Sequence, residues 1–188
     1  MDLADLLKEY VPFTHDELNG ILAHFTKESI PKNELLVREG QICRKLYFVE
    51  KGIGRSYYIK EDGKEVTQWF FGEGAFMSSV DSFFNQSQSH YYLEVLEDAV
   101  LYSISLDNID LLLAQYHKME RLVRLITIDM LTKVVNKLNA LQFQTARERY
   151  DYMISEYPDI SYRVPLGHIA SYLGMTQETL SRIRKNEG

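Results

Sequence analysis

The side chains with the clearest chemical potential lie near the C-terminal end, in the segment TQETLSRIRK. If this segment is a helix that buries Leu180 and Ile183, which are three residues apart, its opposite face is polar and charged. That face would carry Gln177, Glu178, Ser181, Arg182 and Lys185. Arginine can bond bidentately to guanine, a carboxylate can accept from cytosine N4, and lysine can neutralise a phosphate. The segment therefore predicts a surface that contacts double-stranded DNA.

The residues before this segment predict a helix-turn-helix that positions it. A first helix over about residues 166–173 would bury Ile169, and the small side chain of Ala170 would allow a second helix to approach closely. Gly174 follows as the turn residue. Thr176 then has the residue type and position of an N-cap, and it also joins the predicted DNA-contacting set. The order and spacing of these residues indicate the motif.

The charge distribution places the predicted DNA contact in one small segment. The 188 residues have a formal net charge of −6, which argues against non-specific coating of nucleic acid by the whole chain. Residues 160–188 nevertheless contain four basic and two acidic side chains, whereas residues 1–159 contain 17 basic and 25 acidic ones. Local positive charge is what binding to phosphates requires.

Several function classes lack residue support. The single cysteine, Cys43, provides neither a disulfide nor an iron-sulfur ligand set. No nucleophile-base pair, phosphate loop or metal-ligand spacing appears, so we expect no enzyme activity, no catalytic residues and no metal. No run approaches the ~18 apolar residues of a membrane helix, and the start of the chain is acidic. We therefore expect a soluble cytoplasmic protein without a membrane partner.

The middle of the chain predicts a small β-barrel or sandwich. Two short helical patterns occupy residues 1–27, and six short segments rich in β-branched and aromatic residues then span about residues 30–105. Turn signals separate these segments at roughly 8 to 12 residue intervals, which is typical of all-β domains.

A long helix is predicted from about residue 118 to residue 141. Apolar residues recur there every four positions, and their neighbours widen the apolar face beyond a single coiled-coil seam; they are Leu122, Ile126, Met130, Val134 and Leu138. Two interpretations stay open: the helix packs only on its own domain, or it also pairs with a second copy. We divide the chain into an effector-like domain over 1–116, a dimerisation helix over 117–142 and a helix-turn-helix domain over 143–188.

With its strands, long helix and C-terminal motif in this order, the chain resembles the Crp/Fnr superfamily of bacterial transcription regulators. The resemblance rests on EGQICRKLYFVEKGIGRSYYIKEDGKE, FFGEGAFM and TQETLSRIRK. It implies an α+β fold with an N-terminal double-stranded β-helix, or jelly roll, like that of cyclic-nucleotide-binding domains. A dimerisation helix and a C-terminal winged helix-turn-helix would follow. It also implies a homodimer that binds palindromic DNA, with Gln177, Glu178 and Arg182 at the DNA-contacting positions.

By the same resemblance, FFGEGAFM begins a phosphate-binding cassette. Gly72, Glu73, Gly74 and Ala75 would start a short helix whose backbone N–H groups face an anion, with the glutamate on a ribose hydroxyl. Cyclic-nucleotide binders then supply an arginine, whereas residues 76–95 here contain no Arg or Lys, and Ser89 and His90 lie near that position. A buried phosphate without a guanidinium is costly, so this departure disfavours a cyclic nucleotide. Another small-molecule effector and a purely structural scaffold remain as alternatives.

A second function hypothesis is a ligand-binding or protein-interaction module that no longer reads DNA. Its support is the short distance from the predicted recognition helix to Gly188, which leaves little room for the wing of a winged helix.

Overall fold

Two short helices begin the computed structural model, which describes residues 2–185. They are α1, Leu3–Tyr10, and α2, His15–Leu22. Helix α2 begins with a capping box: the Glu17 N–H donates to Thr14 Oγ1 at 3.2 Å, and the Thr14 N–H donates to Glu17 Oε2 at 2.7 Å. Helix α1 is capped as well, by Asp2 Oδ1, which accepts from the Asp5 N–H at 2.8 Å, and both caps satisfy N–H groups that have no partner within the helix.

Eight strands form two four-stranded sheets, which confirms the predicted jelly roll. Their bounds are β1 Thr26–Ile30, β2 Leu35–Val37, β3 Leu46–Lys51, β4 Gly54–Ile59, β5 Glu65–Phe71, β6 Phe76–Met77, β7 Tyr92–Val95 and β8 Ala99–Ile104. One sheet has the order β1-β8-β3-β6, and the other has the order β2-β7-β4-β5. The sequence-based segments cover six of these strands and miss most of β1 and all of β6.

Antiparallel register fixes the side chains that fill the roll. In β8, Ser103 lies opposite Thr26 of β1 and opposite Tyr47 of β3. Successive side chains of a strand point to opposite faces, so each register also decides which residues are buried. The fully buried apolar side chains of the strands are Phe48, Phe70, Met77, Leu93, Val95 and Leu101.

The segment after β5 differs from its prediction. Gly74 has a φ of +84° and forms a turn, and the next residues pair as β6, with Phe76 opposite Phe48 and Met77 opposite Tyr47. Helix α3 begins only at Val80 and ends at Asn85. The helix predicted to start near residues 72–75 is therefore wrong, because the chain turns at Gly74 and the next two residues pair with β3.

Helices make up the remainder of the described chain. They are α4 Leu106–Gln115, α5 His117–Phe143, α6 Ala146–Glu156, α7 Ile160–Arg163, α8 Leu166–Tyr172 and α9 Gln177–Lys185. Helix α6 begins with a second capping box, formed by Thr145 and Glu148. Residues 144–185 contain no strand, so the predicted wing is absent from that part of the chain.

The described chain divides into two compact units that do not follow the sequence-based boundaries. One unit holds the residues up to Ser56 together with Phe70–Asp129. The other holds Tyr57–Trp69, which is the tip of the β4–β5 hairpin, together with the chain from Met130 onward. The division at residues 116 and 142 stays a prediction from sequence.

The turn at Gly52 generates a stability prediction. Gly52 has a φ of +106°, and a Cβ there would lie 2.8 Å from the Cβ of Ala99. Gly63 has a φ of +80°, and a Cβ there would meet no atom within 4 Å. We expect Gly52→Ala to lower the free energy of unfolding by about 3 kcal/mol and Gly63→Ala by about 1 kcal/mol. Urea titration followed by circular dichroism measures both, and equal losses would contradict the packing argument.

Candidate functional site

Helix α9 is positioned by a glycine turn and a threonine cap. Gly174 has a φ of +65°, which only glycine adopts readily. The Thr179 N–H donates to Thr176 Oγ1 at 3.2 Å, so the predicted N-cap is confirmed. Leu180 is fully buried and anchors the helix from its inner side.

The structure places the predicted DNA-contacting residues on the outer side of α9. Thr176, Gln177, Glu178, Arg182 and Lys185 are exposed, and Ser181 is half-buried. Residues four apart lie on the same side of a helix, so Gln177, Ser181 and Lys185 line up beside Glu178 and Arg182 on one face opposite Leu180, and Thr176 lies at the N-terminal end of the helix. The face is polar, reachable from solvent and about two and a half helical turns long.

Neighbouring side chains set the charge state of this face. The pKa of the Glu178 carboxyl is lowered, first by a hydrogen bond with its own backbone N–H, then by the Thr176 hydroxyl and the positive charge of Arg182. Glu178 is thus an ionised acceptor at neutral pH. The Arg182 guanidinium donates to Thr179 Oγ1 at 3.4 Å, a long contact that leaves the guanidinium at the surface.

Two arginines of α6 support the motif, and sequence reasoning missed both. Arg149 donates through Nε to the Leu173 carbonyl at 2.8 Å and through Nη1 to the Gln144 carbonyl at 2.9 Å. Arg147 donates to the Ile183 carbonyl at 3.3 Å. These carbonyls lie at or near helix C-termini, where they have no partner within the helix. No local pattern identifies such contacts, because they join residues 24 and 36 positions apart.

The cassette residues form a turn, and their acidic side chain already serves that turn. Gly72, Gly74 and Ala75 are half-buried, and Glu73 is exposed. Glu73 Oε1 accepts from the Gly52 N–H at 2.9 Å, which ties the turn to the connection between β3 and β4. Helix α3 is only six residues long and begins five residues after Ala75. The four residues therefore do not present the helix N-terminus that the resemblance implied.

Ser89 and His90 have different surroundings. Ser89 is fully buried, and its hydroxyl donates to Ser79 Oγ at 2.8 Å and accepts from the Tyr91 N–H at 3.1 Å. His90 is exposed at the surface. The structure thus uses the Ser89 hydroxyl inside a hydroxyl network and does not bring the two side chains together on one buried site.

Cys43 belongs to the same buried polar region. Its Sγ lies 3.3 Å from Ser78 Oγ and 3.3 Å from the Lys45 carbonyl, and its N–H donates to Ser82 Oγ at 2.9 Å. These contacts engage the hydroxyls of Ser78 and Ser82, so Cys43 takes part in the hydrogen bonding of the interior.

An ion pair in the second sheet was also not predicted. Arg55 of β4 is 2% exposed, and its Nε lies 2.6 Å from Glu94 Oε1 of β7. A buried charge is tolerated only when it is paired, so the two strands depend on this contact. The available signal was an arginine within an otherwise apolar strand, GRSYYI.

The second half of α5 has two different sides. Ala140 is 6% exposed and packs within its unit. On the other side, apolar side chains recur at intervals of three and four residues and are 44% to 60% exposed: Leu131, Val134, Val135, Leu138 and Leu141. A contiguous apolar face of this kind is typical of interaction surfaces.

Among residues 2–185, no three His, Cys, Asp or Glu side chains are grouped so that they could hold a metal ion. No helix in the same range is long and apolar enough to cross a membrane.

Comparison with known proteins shows similarity over most of the chain. Residues 27–116 match the model of the cyclic nucleotide-binding domain family. The anaerobic regulatory protein of Aggregatibacter actinomycetemcomitans is 28% identical over 92% of this chain and 72% of its own length. The fumarate and nitrate reduction regulatory protein of Yersinia pestis is 26% identical over 92% of this chain and 74% of its own length.

Solved structures share the fold. FixK2 from Bradyrhizobium japonicum superposes with a TM-score of 0.74 at 21% identity, covering 86% of this chain and 83% of its own. The catabolite activator protein of Thermus thermophilus superposes with a TM-score of 0.60 at 19% identity, covering 96% of this chain and 85% of its own.

The fold and the matched domain define a class: a chain in which a cyclic-nucleotide-binding-like β-roll precedes a long helix and a helix-turn-helix. As the resemblance predicted, the chain is similar over most of its length to regulatory proteins, and it shares its fold with a solved transcriptional regulator of the Crp/Fnr family from Eubacterium rectale. The alternative of a module that has lost DNA reading is not favoured by these relatives, which are named as regulatory proteins.

Replacing Arg149 tests whether its two hydrogen bonds stabilise the helix-turn-helix. Arg149→Met removes the donors to the Leu173 and Gln144 carbonyls, so we expect the helix-turn-helix to lose about 1 to 3 kcal/mol of local stability. Amide hydrogen exchange in α8 and α9 measures this, and exchange there should become faster. Arg124→Met, at an exposed position of α5, is the control for loss of one positive charge. Unchanged exchange in Arg149→Met would show that the arginine does not support the motif.

Proposed function

We propose that this chain is a Crp/Fnr-type transcription regulator that binds double-stranded DNA as a homodimer and recognises a roughly palindromic operator through α9. The observation that carries the proposal is the outer face of α9, where five of the six polar residues are exposed while Leu180 holds the helix from behind. This is the arrangement that a recognition helix needs, because base edges are reached only by side chains that project from the protein surface.

Each outward side chain has a defined chemical role in the proposal. Arg182 bonds to guanine O6 and N7, and the ionised Glu178 accepts from cytosine N4. Gln177 suits adenine, whose N6 and N7 match an amide. The remaining three, Thr176, Ser181 and Lys185, contact phosphates and set the register of the helix on the duplex.

The exposed face of α5 supports the homodimer. Five apolar side chains there are covered if two copies of the helix pair, and the hydrophobic effect favours that burial at about 25 cal/mol per Å². Two paired helices would place two α9 helices about one DNA turn apart, ~34 Å, and a two-fold dimer then requires an operator with matching symmetry.

For the β-roll, the proposal does not include a cyclic nucleotide as effector. Residues 76–95 contain no Arg or Lys, Glu73 accepts from the Gly52 N–H, and the Ser89 hydroxyl is engaged with Ser79. An anionic phosphate would therefore lack the charged donors that make its burial favourable. An effector of different chemistry and a scaffold role for the dimer both fit these contacts.

Replacing Arg182 tests the reading of bases. In a selection from a randomised duplex pool, the unchanged protein should enrich a palindrome, and Arg182→Ala should lose preference at one base pair of each half-site. Loss of one bidentate contact costs about 1 to 3 kcal/mol, or roughly 5- to 150-fold in affinity per half-site. Lys185→Ala is the matched control, because loss of a phosphate contact weakens all sequences similarly. Equal enrichment by Arg182→Ala and the unchanged protein would refute the assignment.

Charge placed on the exposed face of α5 tests the dimer. Leu131→Asp together with Leu138→Asp would bury two carboxylates per copy, so we expect sedimentation equilibrium to show a monomer. Asn136→Asp is the control, since Asn136 is exposed on the same helix but outside the apolar face. A double variant that remains dimeric would place the dimer contact elsewhere.

A further inference from the structure

The tip of the β4–β5 hairpin contacts the first helix of the helix-turn-helix within one compact unit. Ser171 of α8 accepts from the Thr67 N–H at 2.9 Å and donates to the Glu65 carbonyl at 3.4 Å. Strand β5 is an edge strand, whose backbone groups need partners from outside the sheet. The Ser171 hydroxyl supplies such a partner for two of them.

Lys137 of α5 joins the same contact from the other side. Its Nζ lies 3.7 Å from the ring centroid of Tyr172 and 5.1 Å from that of Trp69, and it donates a hydrogen bond to the Gln68 carbonyl. The two rings meet edge to face, with centroids 6.4 Å apart and an interplanar angle of 87°. We refer to Lys137, Trp69 and Tyr172 as the Lys137 cluster.

Burial and the neighbouring rings both act on the charge of Lys137. Burial lowers the pKa of Lys137 to about 7, whereas the ring faces and the carbonyl favour the ammonium form. Burial raises the pKa of Tyr172, with smaller contributions from Tyr157 and Tyr152, so its ring stays neutral and retains a negative face. In its ammonium form Lys137 is held directionally, because its attraction to each ring depends on its position over the ring face.

The cluster also lies between two functional surfaces. Lys137 is adjacent to Leu138, which belongs to the exposed apolar face of α5. Tyr172 ends α8, and only the turn at Gly174 separates it from α9. The contact therefore connects the helix that pairs in the proposed dimer to the helix that reads DNA.

We propose that Lys137, Trp69 and Tyr172 are positioning residues that hold the recognition helix at a fixed place relative to the second half of α5, and so set the half-site spacing that the dimer accepts. This inference rests on the proposed function. None of the three residues is on the outer face of α9, so they act through its placement and do not read bases.

The experiment separates spacing from base reading. Operators are built from the half-site that the unchanged protein selects, with the distance between half-sites varied one base pair at a time, and a single half-site serves as reference. We expect the unchanged protein to prefer one spacing. Lys137→Met keeps the unbranched apolar stem but removes the charge, so it should bind the single half-site as well as the unchanged protein does. Its preference for one spacing should fall roughly 30-fold, the factor that one desolvated cation–π contact represents.

Conservative variants test the mechanism. Lys137→Arg retains a cation that stacks on aromatic rings and should restore the preference. Tyr172→Phe keeps the ring and should behave like the unchanged protein, whereas Tyr172→Leu should behave like Lys137→Met. These two variants keep the test available if Lys137→Met fails to fold, which circular dichroism shows.

Each outcome tests either the inference about the Lys137 cluster or the proposed function. Unchanged spacing preference in folded Lys137→Met, or in folded Tyr172→Leu, would overturn the inference while leaving the proposed function in place. If a variant loses binding to the single half-site by the same factor as binding to the paired operator, the cluster only stabilises the fold. This result also overturns the inference. If the unchanged protein selects no half-site at all, the proposed function itself fails.

Discussion

Helix α5 has 27 residues, and it packs within the protein on one side while it exposes apolar side chains on another. The other elements depend on how these two sides are covered. Its first turns bury Met119 and Leu122, and its second half buries Ala140 on one side while leaving a broad apolar face in water. A helix cannot hide such a face by rotating, because rotation would expose the buried Ala140. The hydrophobic effect therefore favours a second surface against it, and a symmetric pair of identical helices is the simplest way to supply one.

The β-roll shows how a family architecture can keep its shape with different polar contacts. The turn at Gly72–Ala75 is tied back to Gly52 by Glu73, and Ser79 and Ser89 bond to each other in the interior. Buried polar groups need partners, and here the hydroxyls of Ser79 and Ser89 are partners for each other. The roll is consequently stabilised by its own side chains, which is compatible with a scaffold.

The structure of the helix-turn-helix depends both on local residue preferences and on contacts between residues distant in sequence. Its turn and cap follow from Gly174 and Thr176, whose conformational preferences act over a few residues. Its attachment depends on Arg149, Ser171 and Lys137, which contact groups far away along the chain. Local rules thus make the recognition helix, whereas distant contacts decide where that helix is held.

The sequence by itself determined that strands, a long helix and a helix-turn-helix follow one another, that Gly174 forms a turn, that Thr176 is an N-cap, and which face of α9 is outward. These features depend on periodicity and on residue preferences that act within one or two turns. Only the tertiary structure decided that residues 72–77 form a turn and β6, that Arg55 pairs with Glu94, and that the hairpin tip contacts α8. Strand pairing and buried polar contacts join residues distant in sequence, and their free energy overrides local preference, so one sequence read locally does not reveal them.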